Sequence, residues 1–236
     1  MLKLLKNKKL LLIVAHPDDE LLGVGGTINK LVSEYKTKVK VVILGEGITS
    51  RSDLRDSVDW SRQLSEHSSN IKIAQNSIGY QELSTYQLPD NRFDSVDLLD
   101  IIKIVEKEKE SFKPDYIFTH HGGDLNIDHQ KTFEAVMTAT RPMANENVMG
   151  MVTFETFSGT EWRASSDPKH FTPNLFIEIS EKNIEAKIKG MEAYEFEKRE
   201  YPHPRSPRAL QISAQQRGIT VGYKLAEAFM IIRLRS

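Results

Sequence analysis

Apolar runs of strand length, each followed by a segment whose apolar positions keep helical spacing, recur along this chain and constrain its fold more than any other feature. "LLLIVA" (10–15), "VKVVIL" (39–44) and "DYIFTH" (115–120) are such runs. Nearly continuous apolar character is what a strand covered on both faces of a parallel sheet requires. Its alternation with helical segments is the pattern of stacked βαβ units. A weaker strand is expected at "IKIA" (71–74), and later ones at "GMVTFETF" (150–157), "LFIEI" (175–179) and "FMIIRL" (229–234). Helices are expected from Glu20, from about Asp53 to Ser69, over "VDLLDIIKIVEKEKESF" (96–112), up to about Ala139, and near 181–199 and 207–229. No repeat, low-complexity tract or linker interrupts the pattern. Residues 1–236 therefore read as a single α/β domain with a mostly parallel sheet and helices on both faces.

Composition narrows the chemistry. Cysteine is absent, which removes disulfides, thiolate metal sites and cysteine nucleophiles together and fits a reducing, cytoplasmic setting. Any metal must be held by nitrogen and oxygen. Lys+Arg is 32 against Asp+Glu 33, so no positive field points to nucleic acid or an anionic membrane. The apolar runs reach about six residues against the ~20 that span a bilayer. The N-terminus "MLKLLKNKKLLLIVAH" has a signal-peptide composition but runs into a polar cluster without a small-residue cleavage site, and reads as a first strand. Nothing in the sequence separates a monomer from a homo-oligomer.

The polar cluster is "AHPDDE" (15–20), at the end of the first apolar run. Side chains this costly to bury need partners. In an open parallel sheet, ligands sit beyond the carboxyl ends of the strands, and a second cluster, "HHGGDLNIDH" (120–129), follows another strand. If both strands are central, the two clusters meet. His16, Asp19 and His129 are then two imidazoles and a carboxylate, the ligand set of a catalytic zinc site with one position left to solvent. Asp18, between the ligands, is the candidate general base. The competing reading is that His16 and Asp19 only cap a helix.

These residues resemble the zinc-dependent N-acetylglucosaminyl de-N-acetylases of the PIG-L or LmbE-like type. "AHPDDE" matches their first motif and "DLNIDH" (124–129) resembles the second. "GEGITSR" (45–51), "LPDNRFD" (88–94), "FETFSGTEW" (154–162), "FTPNLFIEIS" (171–180), "PHPRS" (202–206) and "AEAF" (226–229) extend the likeness over most of the chain. The resemblance implies a Rossmann-like sheet, Zn2+ or another divalent metal on His16, Asp19 and His129, activation of water by Asp18, and removal of an acyl group, usually acetyl, from an amino sugar. Many members carry a histidine where this chain has Asn126, with Asp128 as its partner. Asn126 can donate a hydrogen bond to an oxyanion but cannot deliver a proton. His203, His120, His121 and Asp18 are the groups left to protonate the leaving amine. Asp128 and Glu20 read as supports that orient an imidazole or cap a helix.

Arg51, Asp90 and Arg92 lie on loops where a sugar would reach, and His121 and Trp162 are further substrate-binding candidates, Trp162 as an apolar wall against a sugar ring. Asn91 and Asp94 lie on the same loop as Asp90, and Arg205, after His203, is a candidate for gripping a diphosphate. "GVGG" (23–26) follows a strand but lacks the G-x-G-x-x-G pattern, and its glycines read as allowing close helix packing. Two other readings fit the residues: an amidase acting on a non-sugar amide, and a sugar- or nucleotide-binding module whose catalytic site has degenerated.

Overall fold

The computed structural model describes residues 1–51 and 60–235. After a short helical turn, α1 (Leu2–Leu5), the run "KLLLIV" forms β1 (Lys9–Val14). Its side chains divide by the two-residue period of a strand. Leu10, Leu12 and Val14 enter one apolar cluster, and Leu11 and Ile13 enter another. All five are fully buried, which requires cover on both faces. The other strands are β2 (Lys38–Gly45), β3 (Glu82–Leu88), β4 (Tyr116–His120), β5 (Gly150–Phe154), β6 (Leu175–Glu178) and β7 (Ala226–Leu234). They form one seven-stranded sheet in the order β3-β2-β1-β4-β5-β7-β6. β7 pairs antiparallel with β5 and β6, and the remaining pairings are parallel.

The first cluster draws on α2 (Asp19–Tyr35), α3 (Ser61–Ile78), α6 (Glu181–Ala193) and α7 (Pro207–Val221), and the second on α4 (Leu98–Phe112) and α5 (Ile127–Ala139). Helices therefore cover both faces, as the apolar runs require. The chain steps outward from β1 through β2 to β3, then returns to lay β4 on the other side of β1. That reversal is a topological switch point, where the loops leaving adjacent strands part and open a crevice. Leu10 to Ile13 of β1 pair directly with Tyr116 to Thr119 of β4, so "AHPDDE" and "HHGGDLNIDH" leave neighbouring strands at the same end of the sheet.

One strand expectation fails. "IKIA" (71–74) lies inside α3, and the third strand is "ELSTYQL" (82–88). The buried positions of α3 are His67, Asn70, Ile71, Ala74 and Ile78, a helical stripe with two polar members that an apolar count overlooks. β3 pairs only with β2, and as a sheet edge it is mostly half-buried and keeps a polar composition. The helix expected from Asp53 is described from Ser61; residues 52–59 lie outside the described residues. The helix expected at 181–199 ends at Ala193, and that at 207–229 ends at Val221, where Gly222 takes a left-handed cap and β7 begins at Ala226.

The glycines of "GVGG" serve close packing. A Cβ on Gly23 would lie 2.1 Å from the Phe154 ring, and one on Gly26 would lie 2.8 Å from Ile179. At the same contact, Glu227 of β7 accepts hydrogen bonds from the backbone N–H groups of Gly26 and Thr27 and from Lys187 Nζ, tying α2, α6 and β7 together. Among the described residues no helix is long and apolar enough to cross a membrane.

Candidate metal centre and cleft

The turn leaving β1 is built around Asp18, whose φ of +100° is unusual for a residue with a side chain. Its backbone carbonyl accepts from Leu21 and Leu22, which starts α2, while its carboxylate makes no capping bond. Its N–H donates to Glu20 Oε2 at 3.0 Å, and Glu20 Oε1 accepts from the Tyr194 hydroxyl at 2.7 Å. Glu20 thus pins the turn. The Asp18 side chain lines the cleft instead of closing the helix.

His16 and Asp19 face each other across the turn: the His16 N–H donates to Asp19 Oδ2 at 2.8 Å, and His16 Nδ1 lies 3.6 Å from that oxygen. His129, in the first turn of α5, brings Nε2 to within 3.4 Å of the same oxygen. One ligand atom from each of His16, Asp19 and His129 lies within 4.8 Å of the other two, and all three residues are buried. Behind each imidazole stands a carboxylate. His16 Nε2 is 2.8 Å from Asp128 Oδ2, and His129 Nδ1 is 3.2 Å from Asp124 Oδ2. This is how metal-binding imidazoles are oriented, with one nitrogen held from behind and the other presented forward. A second group, His16, Asp90 and Asp128, also meets the distance test. It uses the rear nitrogen of His16, and Asp128 is already engaged by the backbone N–H groups of Asn91 and Phe93, so it is read as the support of the first.

The electrostatics call for a cation. Burial works against an imidazolium at His16, yet the surrounding Asp128, Asp19 and Asp90 carboxylates outweigh it and hold the pKa well above the ordinary value. His129 is likewise opposed by burial and carried by Asp19 and Asp124 up to about 9. Asp19, despite burial, is held well below the carboxylate range by His129 and His120. Four buried aspartates (Asp19, Asp90, Asp124, Asp128) around two imidazoles leave an excess of negative charge that a divalent ion would balance. The nitrogen and oxygen donor set fits zinc. Asp18 differs from Asp19: burial raises its pKa well above the usual range, and Arg205, with Nη1 3.2 Å from Oδ2, offsets only part of that.

A cleft of about 290 Å³ opens over these groups. Of the residues singled out from the sequence, His16, Asp18, Arg51, Asp90, Asn91, Asn126, Trp162, His203 and Arg205 line it. Trp162 is 56% exposed at the rim. Arg92 and His121, expected on the substrate side, do not line this cleft. Arg92 is exposed on its loop. His121 leaves β4 on the side away from the centre, where Nε2 donates to the Lys169 carbonyl at 2.8 Å and the ring packs on Phe171. His120 is fully buried behind His129, stacked at 3.9 Å between ring centroids, and takes the Ala15 N–H on Nε2 at 2.9 Å. It has no access to a leaving group.

Residues 11–140 match the PIG-L family of GlcNAc-PI de-N-acetylases. The chain belongs to this family. Its PIG-L fold is shared by N,N'-diacetylchitobiose deacetylase from Pyrococcus horikoshii, with 18% identity, a TM-score of 0.74, and coverage of 97% of this chain and 87% of that one. The zinc-inhibited form of teicoplanin deacetylase Orf2 is similar too, at 14% identity and a TM-score of 0.74, over 95% of this chain and 98% of that one. So is GalB, the 4-carboxy-2-hydroxymuconate hydratase of Pseudomonas putida KT2440, at 16% identity and a TM-score of 0.71, over 97% and 98%. A hydratase on the same fold means that the fold does not by itself decide the reaction. No curated protein sequence matches the chain.

At the position where many PIG-L members carry histidine, Asn126 is the N-cap of α5. Its Oδ1 accepts from the Asp128 N–H at 2.8 Å and its Nδ2 donates to Asn91 Oδ1 at 2.9 Å. Asp90 is also committed, accepting from the Ser50 N–H and hydroxyl. Sequence reasoning gave no role to Asp124 or Glu197. Asp124 could have been found by asking what holds His129 from behind, since it lies five residues upstream on the loop that enters α5. Glu197, which accepts from both Arg51 and Arg205, carries no local signal at all.

Proposed function

We propose that this chain is a metal-dependent hydrolase that removes an N-acyl group, typically acetyl, from an amino sugar or sugar conjugate. The observation that carries the reading is the convergence of His16 Nδ1, Asp19 Oδ2 and His129 Nε2 next to Asp18, whose carboxylate lines the cleft and faces Arg205. His16, Asp19 and His129 would hold the ion, zinc by ligand type. A divalent ion there supplies Lewis-acid polarisation of an amide carbonyl and acidifies water.

The chain's own groups do the rest. Asp18, made more basic by burial, takes the proton of the attacking water. We assign the return of that proton to the leaving amine to Asp18 as well. His203 has its pKa lowered by burial and by Arg205 and Arg199, and its Nδ1 accepts the Arg205 N–H, so it enters the cleft neutral, as a hydrogen-bond donor through Nε2. Asn126 keeps an amide hydrogen for the oxyanion or a sugar hydroxyl. Asp128 and Glu20 act as supports, the first of His16 and the second of the Asp18 turn. Arg51, Asp90 and Trp162 form the sugar-facing wall.

The test is metal analysis of protein purified without chelator, followed by primary-amine release from a panel of N-acetylated sugars and non-sugar amides. Stoichiometric metal and amine release from sugars that chelation abolishes are expected. Asp18→Asn retains the metal and loses turnover by roughly 10²–10⁴-fold, the usual share of a general base. His129→Ala loses the metal. Metal-free protein that still binds ligand means a binding module, and activity confined to non-sugar amides means an amidase.

A further inference from the structure

Four charges alternate along one wall of the cleft. Arg51 Nη2 donates to Glu197 Oε1, Arg205 Nη1 donates to Glu197 Oε2, and the same Arg205 nitrogen lies 3.2 Å from Asp18 Oδ2. Arg205 Nε donates to Ser158 Oγ at 2.9 Å, so its guanidinium plane is gripped on two edges. Glu197 comes from the turn after α6, where its N–H donates to the Tyr194 carbonyl, Arg51 from the loop after β2, and Arg205 from the segment before α7. The Glu197 side chain is 5% exposed, and those of Arg51 and Arg205 are 34% and 25% exposed; all three line the cleft with Asp18.

We propose that Glu197 is a positioning residue: one buried carboxylate that fixes the guanidinium against Asp18 and a second guanidinium on the substrate wall, so that the geometry of the base and the binding of the substrate depend on the same side chain. The proposal rests on the hydrolase reading above. A long arginine side chain held on a single carboxylate loses little orientation because its planar fork is preorganised. Without Glu197, both cations lose their shared counter-ion. Arg205 then has only Asp18 and Ser158 to hold it, and it rotates the Asp18 carboxylate with it. A displacement of about 1 Å at a reacting group costs up to about 10²-fold in rate. Arg51 is released at the same time, and its contact with substrate weakens.

Glu197→Gln keeps the shape and removes the charge, leaving one oxygen for two guanidiniums. The expected result is a kcat lowered about 10–100-fold together with a KM raised several-fold, at unchanged metal content and thermal midpoint. Arg205→Gln lowers kcat alone and Arg51→Gln raises KM alone. Adding Glu197→Gln to Arg205→Gln lowers kcat no further, the non-additivity of residues acting as one unit. A readout independent of turnover is phenylglyoxal labelling read by peptide mass spectrometry. In the wild type Arg51 and Arg205 react more slowly than exposed Arg199, whose side chain donates to the carbonyls of Phe196 and Lys198, and in Glu197→Gln both accelerate while Arg199 does not. Wild-type kcat and KM in Glu197→Gln, or additive losses in the double variant, overturn the proposal. So do equal labelling rates for all three arginines in the wild type, a result that needs no folded variant. Wild-type turnover in Asp18→Asn overturns the hydrolase reading instead, and the labelling then still decides whether Glu197 holds the two arginines.

Discussion

His16 Nε2 lies 2.8 Å from Oδ2 of Asp128, a fully buried carboxylate that the N–H groups of Asn91 and Phe93 hold from the other side. The ring is thereby turned so that Nδ1 faces Asp19. Asp128→Asn preserves the shape but weakens this hold, and metal affinity falls by roughly 10–100-fold, the usual cost of losing such a support. Competition with a fluorescent chelator measures it. In the wild type, saturating metal at about 100 times Kd raises stability by about 2.7 kcal/mol, visible as a higher thermal midpoint that chelator reverses.

Asp18 combines a φ of +100° with a carboxylate that is 2% exposed. Backbone strain of this kind costs about 1–3 kcal/mol, against about 0.5–1 kcal/mol of extra chain entropy for glycine in the unfolded state. Strain and the desolvated charge together outweigh the entropy. Asp18→Gly is therefore more stable than the wild type by about 1–2 kcal/mol in chelator-treated protein, measured by urea unfolding, and is inactive. A less stable Asp18→Gly protein would mean that the turn is not strained.

Gly23→Ala tests the packing of α2 on the sheet. Alanine favours a helix interior by about 1 kcal/mol, but its Cβ would sit 2.1 Å from the Phe154 ring, itself fully buried. Overpacking of a closed core costs about 1–3 kcal/mol, so the net effect is destabilising. Thermal unfolding should show a lowered midpoint. A raised midpoint would show that the Phe154 ring has room to move.

His67, 2% exposed and packed against Tyr194 and Phe196, finds no hydrogen-bond partner for either ring nitrogen among the described residues. Burial, with the Arg51 charge adding to it, pushes its pKa down to about 4. The unfolded chain, with a histidine pKa near ~6.5, binds more protons than the native state between these values. Stability is full above about pH 6.5 and declines as the pH falls toward about 4, by about 2 kcal/mol at pH 5. His67→Phe removes that part of the acid sensitivity. Urea unfolding at pH 7 and pH 5 gives the comparison, and an equal acid loss in both proteins would rule the residue out.

How far the sequence could be read depended on burial. β1, β2, β4 and β5 are covered on both faces, so their apolar runs are long enough to stand out, and the two polar clusters after β1 and β4 are visible as interruptions of them. β3 is an edge, where no position is fully buried and "ELSTYQL" passes for a loop, while "IKIA" is a strand-like fragment of a helical stripe completed by His67 and Asn70. The same logic separates His120 from His121. The alternation of a strand sends one toward the centre and one away, but only the sheet says which.

Local patterning alone pointed to the α/β class, the positions of the central strands and His16, Asp18, Asp19 and His129 as candidate site residues, because strand period and chemically costly side chains are both short-range signals. Strand order, the pairing of β1 with β4 that brings the two clusters together, and the contacts of Asp124, Glu197 and Arg205 were decided only in three dimensions. Arg51 reaches Glu197 and Arg205 reaches Asp18 across more than a hundred residues, even the near pair Asp124 and His129 meets only through the turn entering α5, and no periodicity in a sequence records which charge will neutralise which.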